Sequence, residues 1–72
     1  MARGWRYLVR NEVIVNLDTG STFKGVMYDV RGSLLILKQA ALLTPNNETP
    51  VDGDLCIDKG RVEFMQMLTG AR

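Results

Sequence analysis

The sequence predicts a mainly β domain: five short strands in a strongly bent antiparallel sheet or small open barrel, led by a short N-terminal helix. Three observations predict it. From Val13 onward, apolar residues recur at every second position, the period of a half-buried strand. Turn chemistry interrupts that alternation at Asp18-Thr19-Gly20-Ser21, at Arg31-Gly32 and at Asp58-Lys59-Gly60, where glycine supplies positive φ at no steric cost. Gly25 falls in mid-strand, where a missing side chain commonly marks a bulge or tight bend.

Residues 2–10 read two ways. Arg3, Arg6 and Arg10 are spaced three and four apart, which places them on one helical face, and Trp5, Leu8 and Val9 have the matching apolar spacing. Trp5, Tyr7 and Val9 alternate instead if the segment is extended. The helix is the preferred reading, with Trp5 as its docked anchor, because so short a helix needs a surface to dock on.

The first strand carries Val13, Val15 and Leu17 on one face and Ile14, Asn16 and Asp18 on the other. The second runs from Thr22 to Val30 with Phe23, Gly25 and Met27 on one face, and Gly25 lets the sheet curl over its core. The third, Leu34–Leu37, is continuously apolar and so reads as covered on both faces. Pro45 and Pro50 make residues 44–53 the one long loop. Leu55–Ile57 is the fourth strand and Arg61–Leu68 the fifth, with Val62 and Phe64 on one face and Glu63, Met65 and Met67 on the other.

This division gives a single domain over residues 1–72. Its parts are an N-terminal segment (1–11), a first block (12–43), a variable loop (44–53), a second block (54–68) and a tail (69–72). A chain of 72 residues buries only about 60% of its unfolded surface, so its core is marginal. Small domains add disulfides, metals or oligomerisation. Cys56 is the only cysteine and histidine is absent, which excludes an internal disulfide and the usual zinc sets. Oligomerisation remains. Apolar side chains on both faces of the last strand support it, and open strand edges need a partner. The expected subunit contact pairs the last strand of one copy with the fourth of the next through Leu55, Ile57, Val62, Phe64, Met65 and Met67.

Nine basic and eight acidic residues leave a net charge of +1, without the strongly basic signature of many nucleic-acid-binding domains. The longest apolar runs are four residues, too short to span a membrane. No apolar run follows the N-terminal arginines, so the expected location is cytoplasmic, with a virion-associated protein as the alternative. No Ser-His, Cys-His or glycine-rich phosphate motif is present, so no enzyme activity and no cofactor are expected. The five aspartates, Asp18, Asp29, Asp52, Asp54 and Asp58, lie near turns and read as turn caps rather than metal ligands. Cys56 reads as a small buried hydrophobe within an apolar strand.

The pattern Val13-x-Val15-x-Leu17-x-x-Gly20-x-x-Phe23-x-Gly25 resembles the first motif of the Sm-like (LSm, Hfq) family. Tyr28-Asp29 and Leu35-x-Leu37-x-x-Ala40 match its later positions, and Leu55-Cys56-Ile57 with Val62 resembles the second motif. Similar strand-and-turn patterns occur in SH3-like barrels and OB-folds; the two glycines with Phe23 favour the Sm-like reading. The resemblance implies a homo-oligomeric ring. It also implies that the turns near residues 29–33 and 58–61 are where RNA-binding members hold a base. Here those turns depart from the pattern: they lack the asparagine and the stacking aromatic, and Asp58-Lys59 stands where Arg-Gly is usual.

Self-assembly into a ring is therefore the expected function, as a structural or scaffold component, a phage particle being one setting, with a protein partner docking on the ring. The alternative is a ring that binds single-stranded RNA, with Arg31, Lys59, Arg61, Arg3, Arg6 and Arg10 as candidate contacts. A monomeric SH3-like peptide-binding module is a third reading. Gly20 and Gly25 are expected to shape the turn and the bend.

Overall fold

The computed structural model describes residues 9–68. They form one antiparallel sheet of six strands: β1 (Glu12–Leu17), β2 (Thr22–Arg31), β3 (Leu34–Leu43), β4 (Glu48–Pro50), β5 (Leu55–Asp58) and β6 (Val62–Met67). A single 3-10 turn, Lys59–Arg61, joins β5 to β6. The sheet order is β4-β3-β2-β1-β6, and β5 also pairs with β3. Both halves of β3 thus carry the following chain.

Alternation builds β1. Val13 and Val15 are fully buried, and their register against Gly25 and Phe23 fixes the β1–β2 hairpin. Gly20 closes its turn at φ +94°, and the Leu17 amide donates to the Ser21 carbonyl at 2.9 Å. The core is Val13, Val15, Met27, Val30, Leu35, Leu37, Ala40 and Ile57.

Irregularities bend the sheet. The β2–β3 register shifts between Lys24 and Val26 and again between Met27 and Asp29. The second shift moves the inward face of β2 from Met27 to Val30, three residues on, and leaves Tyr28 55% exposed. At the first shift a β-carbon on Gly25 would stand 3.2 Å from the Ala40 backbone and from Leu37 Cδ2. The two strands approach that closely because Gly25 has no side chain.

Several expectations need correction. Six strands form, not five. β3 continues through Leu43 rather than ending at Leu37: beyond a kink at Gln39 (φ 53°), Ala41, Leu42 and Leu43 pair with β2 on one side and β4 on the other. That kink brings Ala40 and Ala41 inward. β4 forms inside the predicted loop, pairing with β3 through Ala41↔Pro50 and Leu43↔Glu48. Pro50 is tolerated because β4 is an edge, and Lys24 Nζ holds Glu48 at 3.1 Å. β3 is covered on one face only: Leu34 is exposed and Ile36 half-buried. Cys56 is exposed, not buried; Ile57 points inward and leaves its neighbour outward.

The faces of β6 also differ from the prediction. Leu17 pairs with Val62 and Asn16 with Phe64, so a bulge at Glu63 absorbs one residue. Val62 therefore joins Met65 and Met67 on the inward side, and Phe64 turns outward, 54% exposed. Val62, Met65 and Leu55 pack against the core, and Ile57 lies within it. These four candidate interface residues thus serve the chain's own interior. Of the predicted N-terminal helix, Val9 and Arg10 fall in a turn and the rest lies outside the described residues; no α-helix occurs among the described residues.

Candidate nucleic-acid interface

Two turns meet at one end of the sheet. Gly32 turns β2 into β3 at φ +56°, and the 3-10 turn Lys59–Arg61 follows β5. Leu34 pairs with Asp58, and the Lys59 amide donates to the Ser33 carbonyl at 2.8 Å. The fold so brings the backbone at Arg31 and at Lys59 to the same end of the sheet from distant parts of the chain.

The aspartates and arginines there are held. Asp58 Oδ1 accepts from the Gly60 amide at 2.8 Å, capping the 3-10 turn. Asp29 Oδ1 accepts from the Val30 amide at 2.8 Å, and Asp29 Oδ2 accepts from Arg31 Nε at 2.9 Å. The hydrogen bond that Arg31 donates to Asp29, followed by the charge of that carboxylate, raises the Arg31 pKa above the usual arginine value. Arg61 lies 3.5 Å from Asp18, whose amide donates to the Arg61 carbonyl at 2.8 Å. Arg61 thereby ties the β1–β2 turn to the start of β6. Arg3 and Arg6 lie outside the described residues.

A second feature was not singled out by sequence reasoning. An open cleft of about 640 Å³ is lined by Arg10, Tyr28, Asp29, Arg31, Lys38 and Gln39, with Val9, Val26 and Met27. Arg10 and Gln39 both adopt positive φ, and the Arg10 amide donates to the Met27 carbonyl at 2.6 Å. Lys38 Nζ sits 4.5 Å from the centre of the Tyr28 ring and 3.1 Å from Asp54. A cation over an aromatic face is attractive. The signal available was the alternation of β2, which sends Tyr28 outward opposite Met27. Among the described residues no group of three or more His, Cys, Asp or Glu is placed to hold a metal. No helix there is long and apolar enough to cross a membrane.

No family model matches the sequence, and no curated protein does. Solved structures do. The P. aerophilum SmAP1 heptamer superposes with a TM-score of 0.83 at 17% identity, covering 97% of this chain and 95% of that one. A heptameric archaeal Sm protein gives 0.80 at 16%, covering 93% and 98%. The fold is Sm-like. A third such structure, the Pyrococcus abyssi Sm protein in complex with a uridine heptamer, gives 0.79 at 16%, covering 93% and 96%. Within this Sm-like fold, β4 and β5 are two pieces laid along one long β3, interrupted at Val51–Asp54. Their separation is where this chain accommodates the kink at Gln39.

Proposed function

We propose that this chain assembles into a homo-oligomeric Sm-like ring that binds single-stranded RNA at the joined turns. The junction of the 31–34 and 58–61 turns through Lys59 and Ser33 carries the reading. It gathers Arg31 and Lys59 at one end of a fold whose solved examples include two heptamers and a complex with a uridine heptamer. Assembly uses the outer edges of β5 and β6, each of which pairs with one strand only among the described residues. Pairing one copy's β6 with the next copy's β5 removes both edges and brings Phe64 against a neighbour. This reading ranks above a scaffold component of a phage particle, because the three similar structures named above include two heptamers and a complex with a uridine heptamer.

Native mass measured with and without nuclease, followed by titration with short RNA homopolymers at low salt, tests the proposal. The expected result is a nuclease-resistant mass several times that of the 8.1 kDa chain, with binding to RNA. A monomer at micromolar concentration refutes the ring. A ring that leaves RNA unbound returns the reading to a scaffold that docks a protein partner.

A further inference from the structure

Arg31 is fixed in place. Asp29 anchors to the backbone through the Val30 amide and grips Arg31 Nε with its other oxygen. The guanidinium is planar and rigid, so a bond at Nε sets the direction of the whole fork. The side chain is 73% exposed, and Nε is the atom that bonds Asp29, so the Nη pair is left for a ligand.

Such a group can do two things to a single strand. Its Nη pair can grip a phosphate bidentately. Its flat face can stack on any base, because every base has a π-face. Neither contact distinguishes one base from another.

Base edges are read by groups that offer a donor and an acceptor side by side, as asparagine and glutamine do. Residues 29–34 and 58–61 contain neither, and no aromatic residue. The backbone amides of Val30, Lys59 and Gly60 are already donated to Asp29, Ser33 and Asp58. Asp58 puts a negative charge beside the path of a phosphate, and Arg61 is drawn towards Asp18.

Resting on the RNA-binding reading above, we infer that Arg31, held by Asp29, is the principal RNA contact of each subunit and that it binds single strands without selecting their sequence. Lys59 adds charge, not choice.

Anisotropy titrations of the assembled protein with short oligouridine, oligoadenosine and oligocytidine test this. Wild-type affinities should fall within about threefold of one another, and Arg31→Ala should weaken all three by about tenfold, the scale of losing one stacking or charged contact. Arg31→Lys keeps the charge but not the plane and should recover part of the loss. Lys24→Ala, at the Glu48 pair on β4, should bind as wild type. Preference for one homopolymer by more than about tenfold, a difference of roughly 1.4 kcal/mol, overturns the inference while leaving RNA binding intact. So does Arg31→Ala that stays folded by circular dichroism and binds unchanged. Wild-type protein that binds none of the three overturns the RNA-binding reading itself.

Discussion

The Lys59 amide donates to the Ser33 carbonyl at 2.8 Å, coupling two turns from opposite halves of the chain. The bond extends the β3–β5 ladder one step past Leu34↔Asp58. Whatever sets the shape of one turn therefore sets the position of the other. Asp58 stands at that junction with two separable roles, one through its oxygen and one through its charge.

Asp58→Ala removes the acceptor for the Gly60 amide and should cost about 0.5–2 kcal/mol, the range for a lost cap. Asp58→Asn keeps an oxygen acceptor and removes the charge. Its melting temperature should stay near wild type, while RNA affinity at low salt should rise as repulsion of phosphate is relieved. Thermal denaturation and RNA titration of both variants check this. Equal destabilisation of the two would contradict the capping role.

Gly25 should tolerate no side chain easily. Its absent β-carbon would meet the Ala40 backbone and Leu37 at 3.2 Å, tighter than ordinary van der Waals contact. Gly25→Val adds further methyls to that gap and should destabilise by about 1–3 kcal/mol, as overpacking does. Urea denaturation measures it; an unchanged midpoint would mean that β2 and β3 do not approach so closely.

The regular part of the fold was legible in the sequence. Period-two alternation marks Val13, Val15 and Met27, and all three are fully buried. Leu35 and Leu37 are buried too, but the continuous apolar run Leu34–Leu37 does not tell them from Leu34 and Ile36. The glycine turns at Gly20 and Gly32 fall where the sequence puts them. What was not legible are the departures from period two. The bulge opposite Leu17 reverses which residues of β6 face inward, and no residue type at Glu63 announces it. β3 runs six residues beyond Leu37, past a kink at Gln39, yet glutamine is not a residue that signals positive φ. β4 hides behind Pro50, a poor strand former that an edge accepts. At the candidate site, the charged turn residues could be read from the chain. The Arg31–Asp29 pair follows from alternation, since i and i+2 of a strand share a face. The Arg61–Asp18 pair depends on the shifted β1–β6 register, which alternation does not encode.

Gln39 gives a direct test of the kink. A non-glycine residue at positive φ costs roughly 1–2 kcal/mol, and β-branched side chains fare worst there. Gln39→Val should lower the melting temperature, whereas Gln39→Gly, relieved of its β-carbon, should hold or raise it. Both residues being tolerated equally would argue against the left-handed backbone at that position.

Phe64 and Met65 separate assembly from folding. They are adjacent in sequence, but the bulge in β6 sends them to opposite sides of the sheet: Met65 packs against the core, and Phe64 is 54% exposed. The sequence alone would assign Met65 to a neighbour's surface. The structure instead makes Met65→Glu a folding mutation, because it sets an unpaired charge against the apolar interior. Phe64 is neither in the core nor among the residues packed against it, so with Phe64→Glu the isolated chain should stay within about 0.5 kcal/mol of wild type, as surface changes usually do. If β6 of one copy pairs with β5 of the next, Phe64 lies at the contact. The same substitution should then reduce the native mass to that of a single chain while leaving the far-ultraviolet circular dichroism intact. Sedimentation and denaturation run side by side on both variants read the two effects separately. A Phe64→Glu protein that keeps its full native mass would place the subunit contact elsewhere than the outward side of β6.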